Sequence, residues 1–237
     1  MTAVFKREFK AYFRSPIGYI VITVFYMFMG LIFSSTYGTG SPDITSVISS
    51  TTTISMFFIP VLTMRLFCED RRQKIDQALF TAPVKLTSIV LGKFSAAVSV
   101  YAICFAPTVI FEIIFASNIS VNVMAYIYSL IGILLLGAAL ISIGMFVSCL
   151  TESSAVAAIL SIVINLVVIL LPLISSMIKD NRYFGWLATA FDKMAFMNAY
   201  ESFNANIFKV QDIVYFISIC AIFLFLCVRS LEKRRWS

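Results

Sequence analysis

The sequence predicts an all-α membrane protein with six transmembrane helices. It adds an N-terminal interfacial amphipathic helix, a short cytoplasmic helix between helices 2 and 3, and exterior re-entrant or interfacial helices between helices 5 and 6. Three observations lead there. Of the 237 residues, 60% are hydrophobic and only 13% charged, and the mean hydropathy is +0.96; a soluble domain of this size would expose too much apolar surface. The apolar residues fall in long runs of spanning length. The basic residues gather on alternate sides of those runs. Six spans of roughly 20 residues each use about half the chain, which leaves short loops and a single transmembrane domain over 1–237.

Helix 1 follows Arg14: Ser15 suits an N-cap, Pro16 the first helical position, and Ile17 to Ser35 carries no charge. A basic start before an apolar run also describes a signal peptide, but this run exceeds a usual h-region and no small-residue cleavage site follows it. Helix 2 covers Ser46 to Leu66 with Pro60 inside, helix 3 Leu91 to Phe115 with Pro107, and helix 4 Val123 to Leu150. Helix 5 covers Ala155 to Ile178 with Pro172, and helix 6 Ile213 to Val228, closed by Arg229. Prolines are tolerated in spans because neighbouring helices can satisfy the carbonyls they free.

Orientation follows from Lys and Arg. Of the 18, fourteen lie in the N-terminal arm (Lys6, Arg7, Lys10, Arg14), the 65–93 segment (Arg65, Arg71, Arg72, Lys74, Lys85, Lys93) and the tail (Arg229, Lys233, Arg234, Arg235). Six crossings put these three segments on one side, with only Lys179, Arg182, Lys193 and Lys209 opposite. Positive charge is retained inside, so both termini and the 67–90 segment are expected in the cytoplasm. The net charge of +6 thus speaks for anionic headgroups and topology, not for nucleic acid.

Three segments lie outside the spans. In residues 1–15, Phe5, Phe9, Tyr12 and Phe13 share one helical face while Lys6, Arg7, Lys10 and Arg14 share the other, the pattern of a helix lying in the interface; a disordered basic leader is the alternative. The 67–90 segment opens on Glu69, Asp70, Arg71 and Arg72, passes into a short amphipathic stretch with Ile75, Leu79 and Phe80, and breaks at Pro83. A solvated charged loop is the plainer reading of that pattern. The exterior 179–212 segment is rich in aromatics, Trp186, Phe191, Phe196 and Tyr200 among them, and reads as short helices at the outer interface, where Trp and Tyr are favoured.

Catalytic chemistry is sparse. There is no GxxxxGK[ST], so no P-loop binds ATP in this chain. Histidine is absent and no two carboxylates share the middle of a span, which leaves an intramembrane hydrolase without its groups. No metal site and no cofactor are expected: the five cysteines form no CxxC pair, and four sit in apolar runs with Cys68 at the end of one. Glu112 lies about one turn from the outer end of helix 3; it is either a carboxylate near headgroups or a substrate contact. Asn165, in the middle of helix 5, suits an interhelical hydrogen bond more than a substrate contact. Gly137, Ile141, Gly144 and Ser148 form a stripe on helix 4 that permits close backbone approach, for packing inside the protomer first of all.

One stretch resembles a known family. Met64-Arg65-Leu66-Phe67-Cys68-Glu69-Asp70-Arg71-Arg72, running on through Lys74-Ile75-Asp76-Gln77 and Ala82-Pro83-Val84 to Gly92-Lys93, is similar to the signature of ABC-2 type permeases. In that family an arginine ends helix 2, a Glu-Glu-Arg-like run follows, then an amphipathic helix, a Pro-Val/Ile turn and a Gly-Lys. Gly144 to Thr151, before Ala157, resembles the family's turn between helices 4 and 5. The nearest subgroup by resemblance is that of the gliding-motility-type permeases, although many family members carry Gly-Thr-x-Glu where this chain has Lys74 to Gln77.

The resemblance implies a permease subunit of an exporter without enzymatic activity of its own. It would pair with a second permease subunit and with separate ABC ATPase subunits, in a bacterial-type cell membrane. The cytoplasmic segment would be a coupling helix docking into the ATPase through Glu69, Asp70, Arg71, Arg72, Leu79 and Phe80. The route or outer gate would involve Glu112, Asn165, Trp186 and Phe191. A force-transmitting or scaffold subunit of an ATPase-driven envelope machine, moving no solute, is the competing reading.

Overall fold

A computed structural model describes residues 1–38, 44–72, 85–116, 122–179, 195–205, 207 and 209–235; at 17, 179, 234 and 235 it describes the backbone alone. The described residues hold the helices α1 (Thr2–Arg14), α2 (Pro16–Gly38), α3 (Ile44–Thr63), α4 (Cys68–Arg72), α5 (Leu86–Cys104), α6 (Pro107–Ala116), α7 (Val123–Leu150), α8 (Ser154–Lys179), α9 (Phe196–Asn204) and α10 (Val210–Arg235), and no strand. Six stretches are long and apolar enough to cross a membrane: Gly18–Gly38, Ile44–Arg72, Leu86–Ala116, Val123–Leu150, Ser154–Ile178 and Val210–Lys233. Six crossings bring α1 and the end of α10 to the same side; we call it the basic end.

The chain turns sharply between α1 and α2. Pro16 offers no amide to α1's ladder and disfavours helical geometry in the residue before it, and Ser15 is accordingly extended (φ −89°, ψ 136°) while its N–H still caps the Ala11 carbonyl. A side chain at Gly18 would collide with the Tyr12 carbonyl, so the elbow requires glycine there. α1 then lies against α5: a Cβ on Gly92 would meet Val4 at 2.9 Å. Its aromatic face stacks on itself, with Phe5–Phe9 and Phe9–Phe13 centroids 5.7 and 5.0 Å apart.

α7 is the axis of the bundle. Of its most apolar window 67% is buried, against 11% for α10, and α7 packs on α3, α5, α8, α9 and α10. Its small residues admit neighbours at backbone distance. Gly137 faces the Tyr101 ring and Gly144 faces Thr63, each so closely that a Cβ would overlap the partner, and Gly132 admits Phe203, which a Cβ would meet at 2.8 Å. The stripe read from the sequence therefore packs within the chain.

Several boundaries differ from the sequence reading. The third span begins five residues earlier, at Leu86, because Leu86, Ile89 and Val90 are buried. It is two helices instead of one: α5 stops at Cys104, and Pro107 starts α6. The proline cannot bond the Ile103 carbonyl four residues back; that oxygen takes the Tyr26 hydroxyl at 2.8 Å and the Ala106 N–H at 3.0 Å. α3 ends at Thr63 and not at Leu66, since residues 64–67 form turns. The last helix runs from Val210 to Arg235, beyond Val228, for Leu231 is buried and Arg229 pairs with Glu232 one turn on at 2.9 Å. α7 keeps the predicted Val123 and Leu150.

Candidate functional site: the charged cluster at the end of span two

Where α3 ends, its last carbonyls have no intrahelical donors. Three different elements supply them. The Tyr12 hydroxyl of α1 donates to Leu62 O at 2.8 Å, Ser148 of α7 donates to Met64 O at 3.2 Å, and the Lys93 ammonium of α5 donates to Leu66 O at 2.6 Å. Ser148 Oγ also accepts the N–H groups of Phe67 and Cys68 at 3.2 and 3.3 Å. The last turn of α3 and the turn leading into α4 are thus bonded to α1, α5 and α7.

Lys93 is the centre. It is 1% exposed, and a buried ammonium is costly unless paired and hydrogen-bonded. Its Nζ lies 2.7 Å from Asp70 Oδ2 and 3.1 Å from Glu8 Oε1, and 5.2 Å from the centroid of the Phe67 ring. Arg7 closes the group from outside, 2.6 Å from Glu8 and 3.7 Å from Asp70. Beside it, Arg65 pairs with Glu69 at 2.8 Å and donates to Ser15 Oγ at 2.7 Å, tying the end of span two to the α1–α2 elbow. Burial opposes the Arg7 charge, but the Glu8 and Asp70 carboxylates outweigh it and raise the Arg7 pKa. Burial, helped by Glu8, also pushes the Tyr12 phenol well up, so it stays a donor.

The sequence-predicted residues divide accordingly. Asp70 faces inward to Lys93 and Arg7, Glu69 pairs with Arg65, and Arg71 pairs with Glu152 at the α7–α8 turn. Arg72 is exposed. Leu79, Phe80, Trp186 and Phe191 lie outside the described residues. The sequence reading gave Glu8 and Glu152 no role; it placed Tyr12 on the aromatic face of the N-terminal helix, Ser148 on the helix 4 stripe and Lys93 in the orientation count and the Gly-Lys signature, and foresaw no polar contact for any of the three. One acid amid the basic residues of the N-terminal arm and a Gly-Lys entering an apolar helix were the available signals for Glu8 and Lys93.

Glu112 is 8% exposed on α6 and has an interaction partner. Asn165, 2% exposed, donates from Nδ2 to Met56 O at 3.0 Å. Met56 is four residues before Pro60, so this amide occupies the carbonyl that the proline leaves without a helical donor. At the far end of the bundle a neutral group holds α9: Asn204 donates to Ser49 at 2.6 Å and accepts from Ser129 at 3.3 Å. None of the five cysteines is in a disulfide.

Six apolar spans around a glycine-lined axis, with a buried charged cluster at the end of span two, define a multi-pass, membrane-embedded helical protein. The chain belongs to the ABC-2 type transporter family, whose model matches residues 1–208. It is a membrane ABC transporter permease. A search of curated proteins returns no match.

Proposed function

We propose that this chain is the permease subunit of an ABC-2 type exporter that couples to a separate ATPase through the segment beginning at Cys68. The observation that carries the proposal is the clamp at the end of span two. Movement of α4 is passed to α1, α5 and α7, because Lys93 and Ser148 each hold a carbonyl of the turn that bears it and Tyr12 holds one in the last turn of α3 just before it. A partner pushing on such a segment moves spans and not merely a loop.

In this reading the basic end faces the cytoplasm of a bacterial-type cell, α1 lies in the interface with Phe9, Tyr12 and Phe13 against the bundle and its basic side toward headgroups, and two permease subunits enclose the route. Glu69, Asp70 and Arg71 brace the coupling segment within the chain, while Arg72, Leu79 and Phe80 meet the ATPase. Glu112 on α6 and the aromatic exterior segment with Trp186 and Phe191 belong to the route or its outer gate, and Asn165 holds span two at Pro60. Within the family we retain the gliding-motility-type subgroup, on the residues of the 64–93 stretch.

The test uses the chain with its partner ATPase. The isolated chain should hydrolyse no ATP, and the complex should. Phe80→Ala, which removes an aromatic anchor of about 2 kcal/mol, should weaken ATPase association some thirtyfold and leave membrane insertion intact. Normal co-purification and coupled turnover in Phe80→Ala would sink the assignment of this segment.

A further inference from the structure

Between α1, the first turns of α2 and the end of α3 lies a half-open cavity of about 310 Å³. Its floor is apolar, formed by Val21, Val61, Leu62 and Val100, while its mouth carries Arg7, Arg65, Glu8, Glu69 and Asp70. It opens where apolar span gives way to charged chain, since Gly18 begins the first span and Leu62 lies close to the end of α3. On the same turns of α2, Tyr19 and Ile20 present apolar surface on the outside of the bundle, 56% and 58% exposed.

The charges at the mouth are mixed. Lys93 is committed to Glu8 and Asp70 from beneath, and those two side chains are only 12% and 15% exposed. The groups that face outward most are Arg7, 44% exposed, and the Arg65–Glu69 ion pair, 30% and 38% exposed, in which Arg65 holds the carboxylate through Nε and one terminal nitrogen. Arg7 bonds Glu8 through Nε and one terminal nitrogen; a guanidinium has five N–H donors, so it keeps donors for a further acceptor. An anion alone would meet three carboxylates, and a cation alone would meet Arg7 and Arg65. A zwitterion satisfies both signs.

We propose that this cavity holds one resident phospholipid with a primary-amine zwitterionic headgroup, its phosphate on Arg7 and Arg65 and its ammonium on Glu69. The volume accommodates a headgroup and glycerol but not two acyl chains, which leave over the apolar floor along Tyr19 and Ile20. A quaternary ammonium has no N–H to give Glu69, so a choline headgroup fits the phosphate side alone. The lipid would bridge α1, α2 and the end of span two, the elements that Tyr12 and Arg65 already join. The proposal rests on the cavity and on membrane embedding, and not on the ATPase partnership.

The experiment is native mass spectrometry of the delipidated full chain offered equal amounts of phosphatidylethanolamine, phosphatidylcholine and phosphatidylglycerol with identical acyl chains. Phosphatidylethanolamine should be retained about tenfold over phosphatidylcholine, the scale of one charge-assisted hydrogen bond, and over phosphatidylglycerol. Arg7→Gln and Glu69→Gln, both at partly exposed positions, should each erase the preference in the fraction of chain that stays folded, and Ala11→Trp should block the cavity. Equal retention of the three lipids, preference for phosphatidylglycerol, or a preference surviving in both glutamine variants would overturn the proposal. Displacement by soluble O-phosphorylethanolamine as effective as by the lipid would make the occupant a water-soluble amine phosphate, and overturn the lipid.

Discussion

At the basic end, Lys93 holds Glu8, Asp70 and a backbone carbonyl together while 1% exposed, whereas at the opposite end Asn204 joins Ser49 and Ser129 without a formal charge. Both arrangements fasten a short helix, α4 or α9, to the spans. They differ in the cost of losing a partner. An ammonium removed from between two poorly solvated carboxylates leaves them facing each other with Arg7 alone to compensate both, which is more costly than the loss of a neutral bond. The charged fastening resists separation and is the one suited to passing a displacement on. The neutral one can be exchanged for other hydrogen bonds at lower cost.

The sharpest way to break this comparison is to remove each centre in turn. Lys93→Met should cost about 3–5 kcal/mol, read as a large drop in melting temperature and folded yield, and Glu8→Gln with Asp70→Asn should recover part of it. Asn204→Leu should cost only about 1–3 kcal/mol, the penalty for the unsatisfied serines. Equal losses at the two positions would remove the distinction.

A second prediction sharpens the account of span two. Asn165→Leu should cost about 1–2 kcal/mol, because Met56 O then has neither a helical nor a side-chain donor. In a Pro60→Ala background the residue 60 amide can bond Met56 O, and the same substitution should cost clearly less. A double-mutant cycle with no coupling would mean that the Asn165 bond does not answer to the proline.

The smallest effect is expected where the charged end meets solvent. Arg71 pairs with Glu152, whose side chain is 75% exposed, and exposed ion pairs contribute about 0–1 kcal/mol. Arg71→Gln and Glu152→Gln should each leave the melting temperature nearly unchanged and the chain folded.

The spans were legible because apolar length is a local property: α7 begins and ends where its run does, and the glycine stripe foretold close packing. The charged cluster was not legible, although all its residues were visible. Glu8, Asp70 and Lys93 lie far apart in sequence, and a lysine near the start of an apolar helix counts toward orientation whether it points to water or inward. The break at 105–106 was hidden for a related reason. Pro107 signals a freed carbonyl, but only the tertiary placement of Tyr26 decides how it is satisfied. Asn165 is the intermediate case: an amide in the middle of a span calls for an interhelical partner, and Pro60 marks Met56 O as a carbonyl in need of one, yet their meeting depends on how α3 and α8 pack.

The central claim, that the end of span two is the point where an ATPase engages the permease, is tested most directly by cross-linking. In a cysteine-free background co-expressed with the partner ATPase, Arg72→Cys should give a covalent adduct with the ATPase through a short bifunctional reagent, with ATP turnover altering its yield. Ser176→Cys, exposed near the other end of α8, should give none. An active complex in which Arg72→Cys yields no adduct, or in which Ser176→Cys does, would contradict the account.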